Sequence, residues 1–209
     1  MTLFRLDASI MPANSSSAEL ADIVQATRAQ ARPDESVIRR SIGIDPLPSN
    51  AWTEATLAGF TPETDRTPAQ LEALALAKRL AGELESADAA ILAVPFYNFG
   101  VSQHFKTWVD LVIAGAGPAA PLLKGKPTVL VTVRGGGYGP GTPREGWDHS
   151  TAYLRRVLAD VWQADLTVVE RELTLAATTP GMESLRNLAA ELHITARATA
   201  GAAGEILAA

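Results

Sequence analysis

The sequence predicts an α/β fold, a parallel five-stranded sheet with helices on both faces. Three observations predict it. Apolar runs of strand length, 89–94 (AAILAV) and 128–133 (TVLVTV), contain almost no polar residue, as strands buried on both faces do. Stretches of helical periodicity separate the strand-like runs, and strands that alternate with helices build parallel sheets. Turn-forming residues stand directly after the two apolar runs, Pro95 after the first and Gly135, Gly136 and Gly137 after the second.

Residues 2–8 (TLFRLDA) alternate apolar with polar and read as the first strand. A loop at 9–17 (SIMPANSSS) leads into a helix at 18–31 with Leu20, Ile23, Val24 and Thr27 on one face. Ser16 and Glu19 have the spacing of a capping box. Residues 36–44 (SVIRRSIGI) read as the second strand, and its Arg39–Arg40 pair suits a sheet edge. The proline-containing stretch 46–67 reads as an excursion with one short helix near 52–58; as a plain surface connection, Trp52 and Phe60 would pack it. Thr67 and Pro68 open a helix with proline in its first turn. Leu71, Leu74, Ala75, Lys78, Leu80 and Leu84 carry its pattern to about Ser86.

The third strand, 89–94, ends at Pro95, which has no amide to give a ladder. A helix follows at 101–114 and is broken by Gly115, Ala116, Gly117 and Pro118. The fourth strand is 128–133, followed by a glycine-rich loop at 134–143. Residues 149–163 read as a helix with Leu154, Val157, Leu158 and Val161 on one face. The fifth strand is 166–173, and the last helix is 180–200, with a tail from Gly201 expected to fray. Five strands so spaced fit the order 2-1-3-4-5 of a flavodoxin-like three-layer sandwich, read as a single domain over residues 1–209. In that order the ligand crevice lies where the winding reverses, between strands 1 and 3.

Composition narrows the functions. With 209 residues and 47% hydrophobic content the chain can build a full core. A net charge of -5 argues against nucleic acid or an anionic membrane surface as the main partner, since both need a basic patch. Cysteine is absent, which excludes disulfides, thiolate catalysis, iron–sulfur clusters and cysteine-based zinc sites. His104, His149 and His193 are too widely spaced to suggest a metal site. No apolar stretch reaches the roughly 18 residues of a membrane span. The N-terminus enters a strand without a basic and then apolar leader, so a cytoplasmic protein is expected.

Three loops should converge at the carboxyl edge of the sheet: 9–17, 95–100 and 134–141. The first ends in Ser15, Ser16 and Ser17 at a helix start, where free amides and the helix dipole hold a phosphate without Lys or Arg. The same serines also serve as ordinary N-caps. The second loop, Pro95, Phe96, Tyr97, Asn98 and Phe99, offers ring faces for stacking and one amide for a polar edge. In the third, the glycines allow close backbone approach to a flat heterocycle, or form a plain connection. Arg134 places charge near a reduced ring or pairs with a surface carboxylate.

The segments VPFYNFGVSQHFKTWVDLV (94–112) and VTVRGGGYGPG (131–141), behind a first strand and a serine-rich loop, resemble the FMN-dependent NAD(P)H azoreductase and quinone reductase family. The resemblance covers nearly the whole chain, including the FTPE and RTP segments within 60–68. It implies a flavodoxin-like fold, FMN as cofactor and NADH or NADPH as donor. It also implies a homodimer and ping-pong hydride transfer through flavin to a quinone, azo or similar acceptor. By the same resemblance, Ser9, Ser15, Ser16 and Ser17 match the phosphate residues. Phe96, Tyr97, Asn98 and Phe99 match the isoalloxazine loop that begins at Pro95. Arg134, Gly135 and Gly136 match the second ring-contacting loop. No side chain need act as an obligatory acid or base, because the flavin carries the chemistry.

Two departures bear on specificity. Val133 stands where the family usually carries a small hydroxyl residue. The segment 115–127 is short, while 138–149 (YGPGTPREGWDH) is long and suits a substitute lid, with Tyr138 or Trp147 facing the acceptor. His104 is a further pocket candidate, weighed against an exposed helical histidine; His149 reads as a cap-region residue and His193 as structural. Trp108 and Trp162 read as core or dimer contacts, and Lys106 with Asp110 as an i,i+4 pair. Two other readings stand beside the reductase: a flavoenzyme with a dedicated biosynthetic substrate, and an FMN-binding electron carrier.

Overall fold

The computed structural model describes residues 1–11 and 13–209; Pro12, inside the loop expected at 9–17, lies outside the described residues. Its elements in order are β1 (Thr2–Asp7), α1 (Ser16–Ala31), β2 (Ser36–Arg40), α2 (Ala51–Ala58), α3 (Pro68–Ser86), β3 (Ala89–Ala93), α4 (Gln103–Ala116), β4 (Pro127–Val133), α5 (Thr151–Arg155), β5 (Asp165–Arg171) and α6 (Arg186–Ala208). All strand pairs are parallel, in the order β2-β1-β3-β4-β5 expected from the sequence. Parallel pairing needs crossovers, and the helices that supply them cover both faces. β3 sits at the centre and all five of its residues are buried.

Side chains alternate across the sheet, so each strand feeds two cores. Phe4, Leu6, Leu92 and Leu130 meet α3, α4 and α5, where Trp108 stacks on Phe4 at 6.0 Å and meets Trp162 edge-on at 5.6 Å. Leu3, Ile91, Val129 and Val131 meet α1 and α6 on the other face. That second core also holds a charged pair. Arg5, 1% exposed, gives two hydrogen bonds to Asp7 Oδ1 and one to Asp7 Oδ2. It also reaches Asp22 at 2.6 Å, and Arg39 joins Asp7 from β2 at 2.8 Å. Burial of a charge is tolerable only with such partners.

Several expectations are corrected. The cap of α1 is Ser15, whose hydroxyl accepts from the Ala18 amide; Glu19 is drawn away from the expected box to His193, Arg197 and Arg171. β2 stops at Arg40 rather than running to Ile44. The chain turns there because Gly43 lies against the first loop, where a Cβ would stand 2.0 Å from the Ser9 carbonyl oxygen. Trp52 and Phe60 are exposed and pack nothing underneath. The buried stripe of α3 is Ala73, Ala77, Leu80, Ala81 and Leu84, not the Leu71 and Leu74 face. Small residues win that face because α4 presses close: a Cβ on Gly115 would lie 2.2 Å from the Ala77 carbonyl oxygen. Gly115 therefore lies inside α4, and Gly117, at φ 99°, ends it.

The predicted helix over 149–163 divides into α5 and a π-helical turn, Arg156–Val161. The predicted fraying from Gly201 does not occur. α6 continues to Ala208, Ala203 and Leu207 are buried, and Gly204 fits against Thr27 and Val24 of α1. Among the described residues no helix is long and apolar enough to cross a membrane.

Candidate functional site

The carboxyl ends of β1, β3 and β4 bring the three expected loops together, and Tyr97 is the joint between the first two. Its hydroxyl lies 3.4 Å from the Ser9 hydroxyl and accepts the Ile10 amide at 3.2 Å. The second and third loops meet through the Phe96 amide, which donates to the Val133 carbonyl at 2.9 Å, and through Phe96 and Tyr138, whose ring centroids are 4.7 Å apart. The buried Pro95 starts this loop without a ladder amide to satisfy.

The second loop is a tight hairpin turn. Tyr97 and Gly100 exchange both backbone hydrogen bonds, at 3.0 and 2.9 Å. Asn98 and Phe99 fill the turn at φ 47° and 69°. Two successive left-handed residues are what a type I′ turn requires, and Gly would adopt them with less strain. Asn tolerates the conformation; Phe costs roughly 1–2 kcal/mol there. Non-glycine strain of this kind gathers at functional sites. Phe99 is half exposed and meets Trp147 edge-on at 5.8 Å, while its carbonyl accepts the His149 amide.

The first loop presents the start of α1. Asn14, Ser15 and Ser16 line an open cleft of about 660 Å³ with Arg39, Arg171 and His193 opposite. Ser17 is buried beneath, its hydroxyl 3.2 Å from that of Ser15. Glu19 also borders this cleft. Burial alone would raise its pKa, but hydrogen bonds and charge from His193 and Arg197 outweigh that and hold it below the ordinary carboxylate range. The acid is thus paired and leaves the helix end free to take a second anion.

The third loop is braced by Arg134, which is 5% exposed. Its guanidinium donates to Asp148 at 2.6 Å, Glu170 at 3.1 Å and the Thr151 hydroxyl at 2.6 Å. Burial opposes its charge, yet Glu170 and Asp148 raise its pKa above the ordinary value. Asp148 in turn accepts the amides of Ser150 and Thr151 and so starts α5. The carboxylate-pairing alternative for Arg134 is the one observed. The amides of Gly135, Gly136 and Gly137 donate to no backbone acceptor among the described residues, whereas the Gly135 and Gly136 carbonyls accept from Leu175 and Leu173. A Cβ on Gly136 would lie 3.3 Å from Arg144 Nη1, so only glycine keeps this approach open. Val133 is buried against the α1–α6 core.

Of the pocket candidates, Tyr138 and Trp147 sit over the second loop, and Arg144 lies 5.8 Å from the Tyr138 ring centroid. His104 is in the first turn of α4, and among the described residues none of the contacts joining the loops involves it. The sequence reading set Asp148 and His193 aside and did not single out Gly43, Asn14 or Arg171. Asp148 carried a signal: an acid followed two and three places on by Ser and Thr marks a helix start. Arg171 carried none, because its meaning depends on α1 and α6 packing side by side.

The residues present fit FMN. A helix start lined with hydroxyls and faced by cations suits a phosphate, and free glycine amides beside a strained aromatic turn suit the edge and face of a planar ring. The model of the flavodoxin-like fold family matches residues 1–196. The chain is 38% identical over 211 residues to an FMN-dependent NADH:quinone oxidoreductase of Frankia alni, covering 95% of this chain and 99% of that one. It is 36% identical over 211 residues to an FMN-dependent NADH:quinone oxidoreductase of Streptomyces avermitilis, covering 99% and 97%. An azoreductase crystal structure from Bacillus anthracis superposes with a TM-score of 0.76 at 19% identity, covering 100% and 99%, a likeness of fold.

Proposed function

The chain belongs to the flavodoxin-like family of FMN-dependent NADH:quinone oxidoreductases, and from that premise we propose that it uses NAD(P)H to reduce quinones and, as a second class, azo compounds. One observation carries the reading: Tyr97 ties the phosphate-type loop to the aromatic turn, so one ligand with an anionic end and a flat end can span both. When bound, FMN supplies hydride acceptance from the nicotinamide and delivery to the acceptor, in two half-reactions at one site.

The chain's own residues bind and orient. In this reading Ser9, Ser15, Ser16 and Ser17 hold the phosphate with the α1 amides. Phe96, Tyr97, Asn98 and Phe99, opening at Pro95, carry the ring. The amides of Gly135 and Gly136 face its polar edge, while Val133 and Arg134 hold that loop in place. Tyr138 and Trp147 cover the acceptor side and limit access of water. Exposed Ile10, Met11, Phe99 and Trp147 all lie at this edge, which supports a homodimer that closes the site. A single FMN-binding domain over 1–209 and a cytoplasmic location complete the reading.

The test is direct. The purified protein takes up FMN and shows the flavin absorption bands, which bleach on NADH addition and return with a quinone. Failure to take up added FMN overturns the proposal.

A further inference from the structure

A second cleft, of about 390 Å³, opens beside the first and shares Arg171 and His193 with it. It lies between the end of β5 and the first turns of α6. Arg171, Arg186 and His193 form its basic wall, while Leu173, Ala177 and Ala189 give it an apolar floor; no carboxylate lines it among the described residues. The Arg171 Nε is buried with no hydrogen-bond partner among the described residues. Its one listed ion pair, Nη1 to Glu19, is long at 3.5 Å. Arg186 is half exposed, and its Nη2 is 3.8 Å from Glu183. Both guanidiniums thus have donors to spare. The floor is held open by strain, for Leu173 stands at φ 59° directly after β5.

Basic groups above an apolar floor suit a phosphorylated nucleoside: the phosphates take the guanidiniums and the base takes the floor. The cleft adjoins the expected flavin phosphate and, through the Thr174 amide to the Arg134 carbonyl, the glycine loop. We propose that it binds the adenosine diphosphate half of the nicotinamide donor, with Arg171 and Arg186 as its phosphate contacts. The inference rests on the nicotinamide-dependent reading above. It places donor selection in the β5–α6 connection, apart from the aromatic lid that meets the acceptor.

The test uses FMN-loaded protein. Titration calorimetry with ADP-ribose and with its 2′-phosphorylated form measures the cleft without turnover. The Arg186→Ala variant should bind at least one of them about tenfold more weakly. Kinetics then compare NADH and NADPH with reduced nicotinamide mononucleotide, which lacks the adenosine half. The variant should lose about tenfold in kcat/KM for a dinucleotide donor relative to the mononucleotide. A loss confined to NADPH and the 2′-phosphorylated probe assigns the contact to the 2′-phosphate; a loss with both donors assigns it to the diphosphate. Unchanged probe affinity, or equal losses on all three donors, overturns the inference. Absence of FMN uptake would instead strike the reductase reading, so the two failures are distinguishable.

Discussion

The loop at 9–17 and the loop at 134–149 meet the same crevice but are held by opposite means. The first is tied by neutral, short-range bonds: Ser15 to Ala18, Ser9 to the Met11 amide, and Tyr97 to Ser9 and Ile10. Its Ile10 and Met11 side chains are exposed. The second is clamped by buried charge, Arg134 to Asp148 and Glu170, and by the Tyr138 amide to Glu172. The difference separates two tasks. A loop that grips a constant phosphate can adjust around it without unpairing anything buried. A loop that sorts variable acceptors works best already built.

Gly43 offers the hardest test of that contrast, because the loose loop still rests on one tight backbone contact. Gly43→Ala puts a methyl group into the Ser9 carbonyl and should cost about 3 kcal/mol or more, read as a lower urea midpoint of the FMN-free protein. A wild-type midpoint would show that the first loop gives way freely. Arg134→Met tests the clamp itself. It strands three carboxylates and should cost about 2–3 kcal/mol while raising KM for bulky quinones more than for NADH. Equal shifts in both KM values would separate the brace from the lid.

Asn98 refines the comparison at the turn between the loops. Asn98→Gly keeps the left-handed backbone and deletes only the amide, so FMN affinity should fall about tenfold with little loss of stability. A leucine there would add backbone strain and blur the result. Unchanged affinity would place the ring edge elsewhere.

The smallest effect concerns acid. Burial raises the Asp148 pKa, but hydrogen bonds from Thr151 and Ser150 and the charge of Arg134 bring it below its ordinary value of 3.8. The unfolded chain therefore binds this proton more readily, and stability rises with pH across the interval. The contribution is complete above the ordinary aspartate value and is lost as pH falls through the lower folded one. Asp148→Asn should flatten that part of the acid profile by less than about 1 kcal/mol, while serine substitutions in the first loop leave it untouched.

The contrast also explains what the sequence could tell. Strand order, β3 and the serine-rich start of α1 were legible because each rests on local pattern: an unbroken apolar run, a proline stop, hydroxyls before a helix. The role of Arg134 was not, since its partners lie 14 and 36 residues away. The short β2 and the long α6 were misjudged for the same reason. Gly43 and Gly204 look like breakers in sequence, yet each is a point of backbone contact with a distant segment, Ser9 and Val24 respectively. Alanine faces on α3 and α6 likewise carry their weight through a neighbour rather than through hydrophobicity.

The wide turn at Arg156–Val161 leaves a mark that gene comparison can find. A turn with one residue too many becomes an ordinary helix if a single codon is lost. The deletion would rotate everything after it by roughly 100° and carry Trp162 away from Trp108. Relatives with a one-residue gap in this stretch should therefore lack a tryptophan pair in the core, or restore it by an insertion before β5.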